Sequence, residues 1–107
     1  MSATYLSFAA TVVLQTVANG YRYGFDVMDA TGLPSGTVYP ALRRMEAAGF
    51  IASRWEEPDI AQREQRPLRK YYELTIAGHL ALREAARRYR LVEDPIARPV
   101  KPVPKRG

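Results

Sequence analysis

The sequence predicts a mainly α-helical fold with one small β-hairpin and a single C-terminal helix. Three observations predict it. Helical runs are clearest at residues 34–48, where Val38, Ala41, Leu42, Met45 and Ala48 recur at spacings of three and four. Two short stretches, residues 50–57 and 68–74, alternate side chain by side chain as strands do. Between them, residues 58–67 are polar, charged and bracketed by prolines, the composition of a hairpin loop. At 107 residues, 47% of them apolar and 25% charged, the chain fits one globular domain with a modest core.

The first helical segment, residues 4–18, is apolar almost all the way round, so it is expected to be buried on two sides. A contact with a second subunit would cover the second side; a core filled on both sides within one chain is the alternative. Asn19-Gly20 reads as a helix stop, and residues 21–30 as a second, shorter helix offering Tyr23, Phe25, Val27 and Met28 for packing. After the turn signal Gly32-Leu33-Pro34 comes the third helix, with Ser35 as its expected N-cap and Gly49 as its stop. Its face away from the core carries Ser35, Thr37, Arg43 and Arg44, hydroxyls and guanidinium groups suited to phosphate oxygens and base edges. Two helices joined by a short glycine-containing turn, the second basic on its outer face, form a helix-turn-helix, and a hairpin placed directly after it is a wing.

In the wing, Ile51, Ser53, Trp55 and Glu57 are expected on one side of the first strand and Lys70, Tyr72 and Leu74 on one side of the second. Thr75 is the expected N-cap of the last helix, residues 76–92, whose stripe Leu82, Ala85, Ala86, Tyr89 and Val92 suits close packing on the first helix. Residues 95–107 are basic and Pro-rich, a tail without a fold. The expected organisation is therefore a winged helix-turn-helix over residues 1–74, a dimerisation helix over 75–94 and the tail over 95–107.

Net charge is +5, but Arg98, Lys101, Lys105 and Arg106 fall in the last ten residues, leaving 12 basic against 11 acidic side chains elsewhere. An electropositive face must come from segregation of charge within the fold. With no cysteine and one histidine, His79, there is no disulfide, thiolate site or metal cluster, and no nucleophile–base pair favours an enzyme. No cofactor is expected. The longest mostly apolar run, residues 5–14, is too short for a membrane span, and no signal-peptide pattern opens the chain, so the expectation is a cytoplasmic protein.

With those residues in view the sequence resembles the PadR family of bacterial transcriptional regulators, winged-helix proteins. The run from Gly36-Thr37-Val38-Tyr39-Pro40-Ala41-Leu42 through Glu46 to Gly49-Phe50 matches the family's G-T-(L/V)-Y-P-A-L-x-R-(L/M)-E-x-x-G pattern. Arg66-Pro67-Leu68-Arg69-Lys70-Tyr71-Tyr72 and Leu74-Thr75-Ile76-Ala77-Gly78 match its wing and the junction that follows. The chain departs from the pattern at Tyr23-Gly24-Phe25, where His-Gly-Tyr is usual, at Pro34-Ser35, and before Arg66, where a glycine is usual. With one C-terminal helix the chain resembles the family's short form, which implies a homodimer formed through the first and last helices.

The resemblance implies a repressor on a pseudo-palindromic operator in double-stranded DNA, released by a small-molecule or protein effector. Candidate DNA contacts are Ser35, Gly36, Thr37, Tyr39, Pro40, Arg43 and Arg44 on the helix, with Arg63, Arg66, Arg69 and Lys70 on the wing. Arg43 is favoured over Arg44 for the groove, the other being free to pair with an acid such as Glu46. Tyr39 reads either as a core aromatic or as a phosphate or base contact, and the wing charges as DNA contacts or as a solvated hairpin. Dimer-interface candidates are Tyr5, Phe8, Val12, Leu82, Ala86, Tyr89 and Val92. Trp55 either packs under the wing or joins Tyr5, Phe8 and Tyr89 in an inter-subunit ligand pocket. A winged-helix protein-interaction module without tight, specific duplex binding is the competing reading.

Overall fold

The computed structural model describes residues 6–89; the expectations for Tyr5, Val92 and the tail lie outside the described residues. Helix α1, Phe8–Ala18, begins later than its apolar run because Ser7, with extended backbone, accepts the Ala10 N–H at 3.0 Å and so caps it. Val13 and Leu14 are fully buried, and Thr11 and Thr16 are buried with them because their hydroxyls donate to the carbonyls of Ser7 and Val12 at 2.8 and 2.7 Å. Helix α1 packs on all the long helices and on the wing. Much of its apolar girth is therefore covered within one chain, and Phe8 and Ala18, with half-buried Ala9 and Val12, are what remain outward.

The second helix is shorter than its pattern. Residues 21–23 are drawn out as an extended segment: the Arg22 carbonyl accepts the Tyr72 N–H at 2.7 Å, and Tyr23 bridges to Tyr71. Helix α2 is Gly24–Thr31, closed by Gly32 at φ +76°. Tyr23 and Val27 are buried as expected, but Phe25 is exposed.

Helix α3, Ser35–Ala47, has Pro34 rather than Ser35 at the N-cap, so Ser35 is its first helical residue. Val38, Ala41, Leu42 and Met45 are buried, whereas Ala48, expected with them, is the exposed C-cap. The end is a full Schellman turn: Phe50 N–H reaches the Met45 carbonyl at 2.9 Å and Gly49 N–H the Glu46 carbonyl at 3.0 Å, with Gly49 at φ +84°. Truncating a fully buried residue such as Leu42 to alanine would cost about 2–5 kcal/mol.

Strands β1, Ile51–Trp55, and β2, Lys70–Leu74, pair antiparallel, with Ile51 opposite Leu74 and Trp55 opposite Lys70. This is the facing expected from the alternation. The segment between them is not all loop. Helix α4, Pro58–Arg63, begins with Pro58, whose missing N–H and fixed φ suit a first turn, and has Asp59 in its first turn and Arg63 in its last.

Helix α5, Ile76–Tyr89, is capped by Thr75, whose Oγ1 accepts the Gly78 N–H at 3.0 Å and donates to the Gly49 carbonyl at 2.6 Å. Gly78 stands where a capping-box acid would be because a Cβ there would collide with the Phe50 carbonyl oxygen. Leu82, Ala85 and Ala86 are buried, and the Tyr89 hydroxyl donates to the Leu6 carbonyl at 3.0 Å.

Candidate nucleic-acid interface

With Val38, Ala41, Leu42 and Met45 committed to the core, helical geometry places Gly36, Pro40, Arg43 and Ala47 on the opposite side of α3. Thr37 and Arg44 flank that stripe on one side and Tyr39 on the other. Ser35, Gly36, Arg43 and Arg44 are exposed, and Thr37 and Pro40 half-buried. No side chain caps the α3 N-terminus, so its first N–H groups face outward. A Cβ on Gly36 would touch nothing, so the fold itself does not require glycine there. Pro40 cannot donate to the Gly36 carbonyl, but falls early enough that the helix continues through it.

Neither Arg43 nor Arg44 enters an ion pair among the described residues. Glu46, the acid expected to take one of them, accepts the Ser53 hydroxyl instead and lies 3.8 Å from the Lys70 ammonium. Tyr39 is neither a core residue nor free: 40% exposed, it leans on the start of α2, where a Cβ on Gly24 would collide with the ring.

The wing cations are held differently. Arg66, half-buried, is a clamp within the wing. Its Nη1 and Nη2 donate to Glu56 Oε1 and Oε2 at 2.6 and 2.9 Å, and its Nε to Glu64 at 2.8 Å. Glu56, its side chain only 4% exposed, also accepts the Arg69 N–H at 2.9 Å. The Arg66 hydrogen bonds hold the Glu56 carboxyl down to about 2 against the opposing effect of burial, and Glu56 in turn raises the guanidinium's pKa further. Arg69 lies 4.1 Å above the Tyr23 ring. Arg63 is exposed and loosely paired with Asp59 at 3.5 Å. Arg66 was legible as a wing residue, but only the fold reveals its partner.

Between α2, α3 and the base of the wing lies a cleft of about 630 Å³ that sequence reasoning did not foresee, lined by Tyr23, Phe25, Tyr39, Trp55, Leu68 and Tyr72, among others. Burial raises the pKa of the Tyr72 hydroxyl, reinforced by Glu46 and Tyr39 and opposed by Arg43. Trp55, expected under the wing or beside Phe8 and Tyr89, is exposed and lines this cleft. Phe8 and Tyr89 form their own edge-to-face pair at 5.4 Å where α1 meets α5. Of the interface candidates, Leu82 and Ala86 are already buried within the chain. His79 is exposed. Among the described residues no cluster of three or more His, Cys, Asp or Glu side chains could hold a metal, and no helix is long and apolar enough to cross a membrane.

Three helices, a two-stranded wing and an outward basic face on the helix before it define a winged helix-turn-helix protein. The chain matches the Transcriptional regulator PadR-like family over residues 13–84. It belongs to that family of DNA-binding transcriptional regulators. A PadR family transcription regulator from hypervirulent Clostridium difficile R20291 is similar at 25% identity and a TM-score of 0.66, over 81% of this chain and 92% of that one. A PadR family transcriptional regulator from Eggerthella lenta DSM 2243 is 26% identical, with a TM-score of 0.62 over 81% and 76% of the two chains. A transcriptional regulator from Clostridium thermocellum shares the fold at 24% identity, with a TM-score of 0.63 over 88% and 91%. A search of curated proteins found no match.

Proposed function

We infer that the chain is a homodimeric repressor whose two α3 helices enter successive major grooves of a pseudo-palindromic operator, about 34 Å apart. The observation that carries this reading is the outward face of α3, where Arg43 and Arg44 are exposed without an acid partner among the described residues, two turns beyond a helix N-terminus that no side chain caps. The bare Gly36 and the Pro40 ring allow the helix backbone to approach a duplex closely. Ser35 and Thr37 supply hydroxyls to phosphate, Arg43 reads base edges, and Arg44 and Arg63 neutralise phosphates. Tyr39 presents its hydroxyl from the rim of the helix. Arg69 and Lys70 meet the backbone from the wing, while Arg66 acts only by holding the wing in shape.

Dimerisation through α1 and α5 is supported by the apolar side chains those helices leave outward: Phe8, half-buried Val12 and Tyr89, and Ile76 and Leu80 one turn apart on α5. The test is capture of sheared genomic DNA by the purified chain at moderate salt, followed by sequencing and by titration of the enriched site. One enriched site with two inverted halves is expected, with log K falling against log salt by about 0.9 per neutralised phosphate. No enrichment by a folded, dimeric protein would sink this reading in favour of the protein-interaction module.

A further inference from the structure

Gly24, the first residue of α2, shows none of the positive φ that explains Gly32 and Gly49, so its backbone would suit alanine, the better helix former. Its surroundings would not. A Cβ on Gly24 would fall 2.6 Å from both Cζ and the hydroxyl oxygen of Tyr39, where ordinary contact begins at about 3.4 Å. Gly24 is itself buried, so its bare Cα forms a floor on which the end of the Tyr39 ring rests.

The clash differs in kind from the one at Gly78. There an added methyl would meet the Phe50 carbonyl, a piece of backbone fixed by the fold. At Gly24 it would meet the far end of a side chain that is 40% exposed, lies outside the core and makes no hydrogen bond or ring pairing among the described residues. Such a ring can turn to another rotamer while the backbone stays in place. Room at Gly24 is therefore what lets the ring lie where it does.

That place bears on how α3 meets DNA. In a helix-turn-helix the second helix lies in the major groove while the first crosses the phosphate backbone. A hydroxyl beside the first residue of α2 is thus carried away from the floor of the groove and towards the strand that α2 crosses. Arg43, on the outward stripe of α3, is left to face the bases.

We propose that Gly24 is a positioning residue for DNA binding: its missing side chain seats the Tyr39 hydroxyl at the start of α2, which makes Tyr39 a phosphate contact and not a reader of bases. The DNA half of this inference rests on the function proposed above; the seat of the ring does not.

The experiment compares the full chain with Gly24→Ala, Tyr39→Phe and the double variant by titration with two duplexes, the site enriched by genomic capture and a scrambled duplex of the same length. Each single variant should bind both duplexes about tenfold more weakly, the loss of one hydrogen bond to a charged group. The ratio between the duplexes and the salt slope should stay as they are, since the lost contact is neutral and touches no base. The double variant should bind no more weakly than either single one. Wild-type affinity in folded Gly24→Ala, a loss confined to the enriched site, or losses that add in the double variant each overturn the proposal, the last because Gly24 would then act apart from Tyr39.

Two readouts need no DNA. A nuclear Overhauser contact between the Tyr39 ring and the Gly24 α protons should be present in the parent chain, and its absence overturns the seat. Gly24→Ala should raise the melting temperature only on a Tyr39→Ala background, where the ring is gone and alanine's helix preference is free to act; an equal rise on both backgrounds would show that the ring never rested there. A chain that shows the Overhauser contact but binds neither duplex overturns the operator reading, and Tyr39's part in it, while upholding the seat.

Discussion

Arg43 and Arg44 on α3 stand in solvent with no acid at ion-pair distance among the described residues, whereas Arg66 in the wing is enclosed by two carboxylates and largely withdrawn from solvent. The wing carries more basic residues than α3, five against two, and both regions carry the family pattern. The difference lies in what surrounds each guanidinium. On α3 the one acid within a turn, Glu46, is taken by the Ser53 hydroxyl and the Lys70 ammonium, which leaves both arginines without an ion pair among the described residues. In the wing a strand end, a short helix and a return strand converge, and Glu56 and Glu64 come within reach of the same arginine. A solvated cation can release counterions to a phosphate; one saturated by carboxylates has already made its bonds.

The largest consequence concerns binding. Replacing both Arg43 and Arg44 by alanine should lower operator affinity at least about 100-fold, on roughly 1–3 kcal/mol for a base-edge contact, and should make the salt dependence shallower for each phosphate that is no longer neutralised. Thermal stability should stay within a few degrees of the parent, since neither side chain touches the core. Operator titration at several salt concentrations checks this, and full affinity in the double variant would move the recognition role off α3.

Arg66→Ala should show the reverse pattern. It leaves Glu56 buried without its guanidinium, so the melting temperature should drop by roughly 5 °C or more. Any loss of DNA binding should follow from the displaced wing and leave the contacts of α3 intact. A variant that melts like the parent yet loses operator affinity would mean that Arg66 reaches DNA after all.

The same clamp sets a dependence on pH. The Glu56 carboxyl is held down to about 2, against an ordinary value of 4.5. A group whose pKa is depressed in the folded state adds stability that is fully present above its unfolded value and lost as pH falls through the folded one. The chain should therefore lose stability as pH falls from about 4.5 to 2, and Glu56→Gln should flatten that fall while melting lower at neutral pH. Parallel melting curves for the two proteins across this window would remove Glu56 from the account.

Much of this fold was legible in the sequence because its signals are local. The core stripe of α3, the Thr75 cap and the facing of the wing strands each depend on spacings of two to four residues. The misses depend on partners distant in sequence or outside the pattern. Residues 21–23 read as helix because nothing local shows that the Arg22 carbonyl will meet the Tyr72 amide. For Arg66 the sequence left DNA contact and a solvated hairpin both open, because several acids lie nearby and which of them meets it depends on the path of the turn. The wing-base cleft was invisible for the same reason: Phe25, Tyr39, Trp55 and Leu68 come from separate segments, and nothing in the sequence brings them together.

The two regions also end their helices alike, with different residues at the critical position. Helix α4 closes as α3 does: Arg66 N–H reaches the Ala61 carbonyl and Gln65 N–H the Gln62 carbonyl, both at 3.1 Å. The position that Gly49 fills after α3 is filled after α4 by Gln65, which takes φ +54°, the only non-glycine residue in the left-handed region among those described. This is the site before Arg66 where the family pattern has glycine, so the chain keeps the turn without the residue that suits it. Left-handed backbone costs an L residue about 1–2 kcal/mol, and glycine's greater freedom when unfolded gives back about 0.4–1. Gln65→Gly should therefore stabilise by about 0.5–1 kcal/mol and raise the melting temperature by about 2–6 °C. The Gln65 side chain is exposed and makes no hydrogen bond among the described residues, so its removal sacrifices nothing else. Gln65→Ala, which keeps the Cβ, should bring no such gain; equal gains in both variants would place the effect in the side chain instead of the backbone.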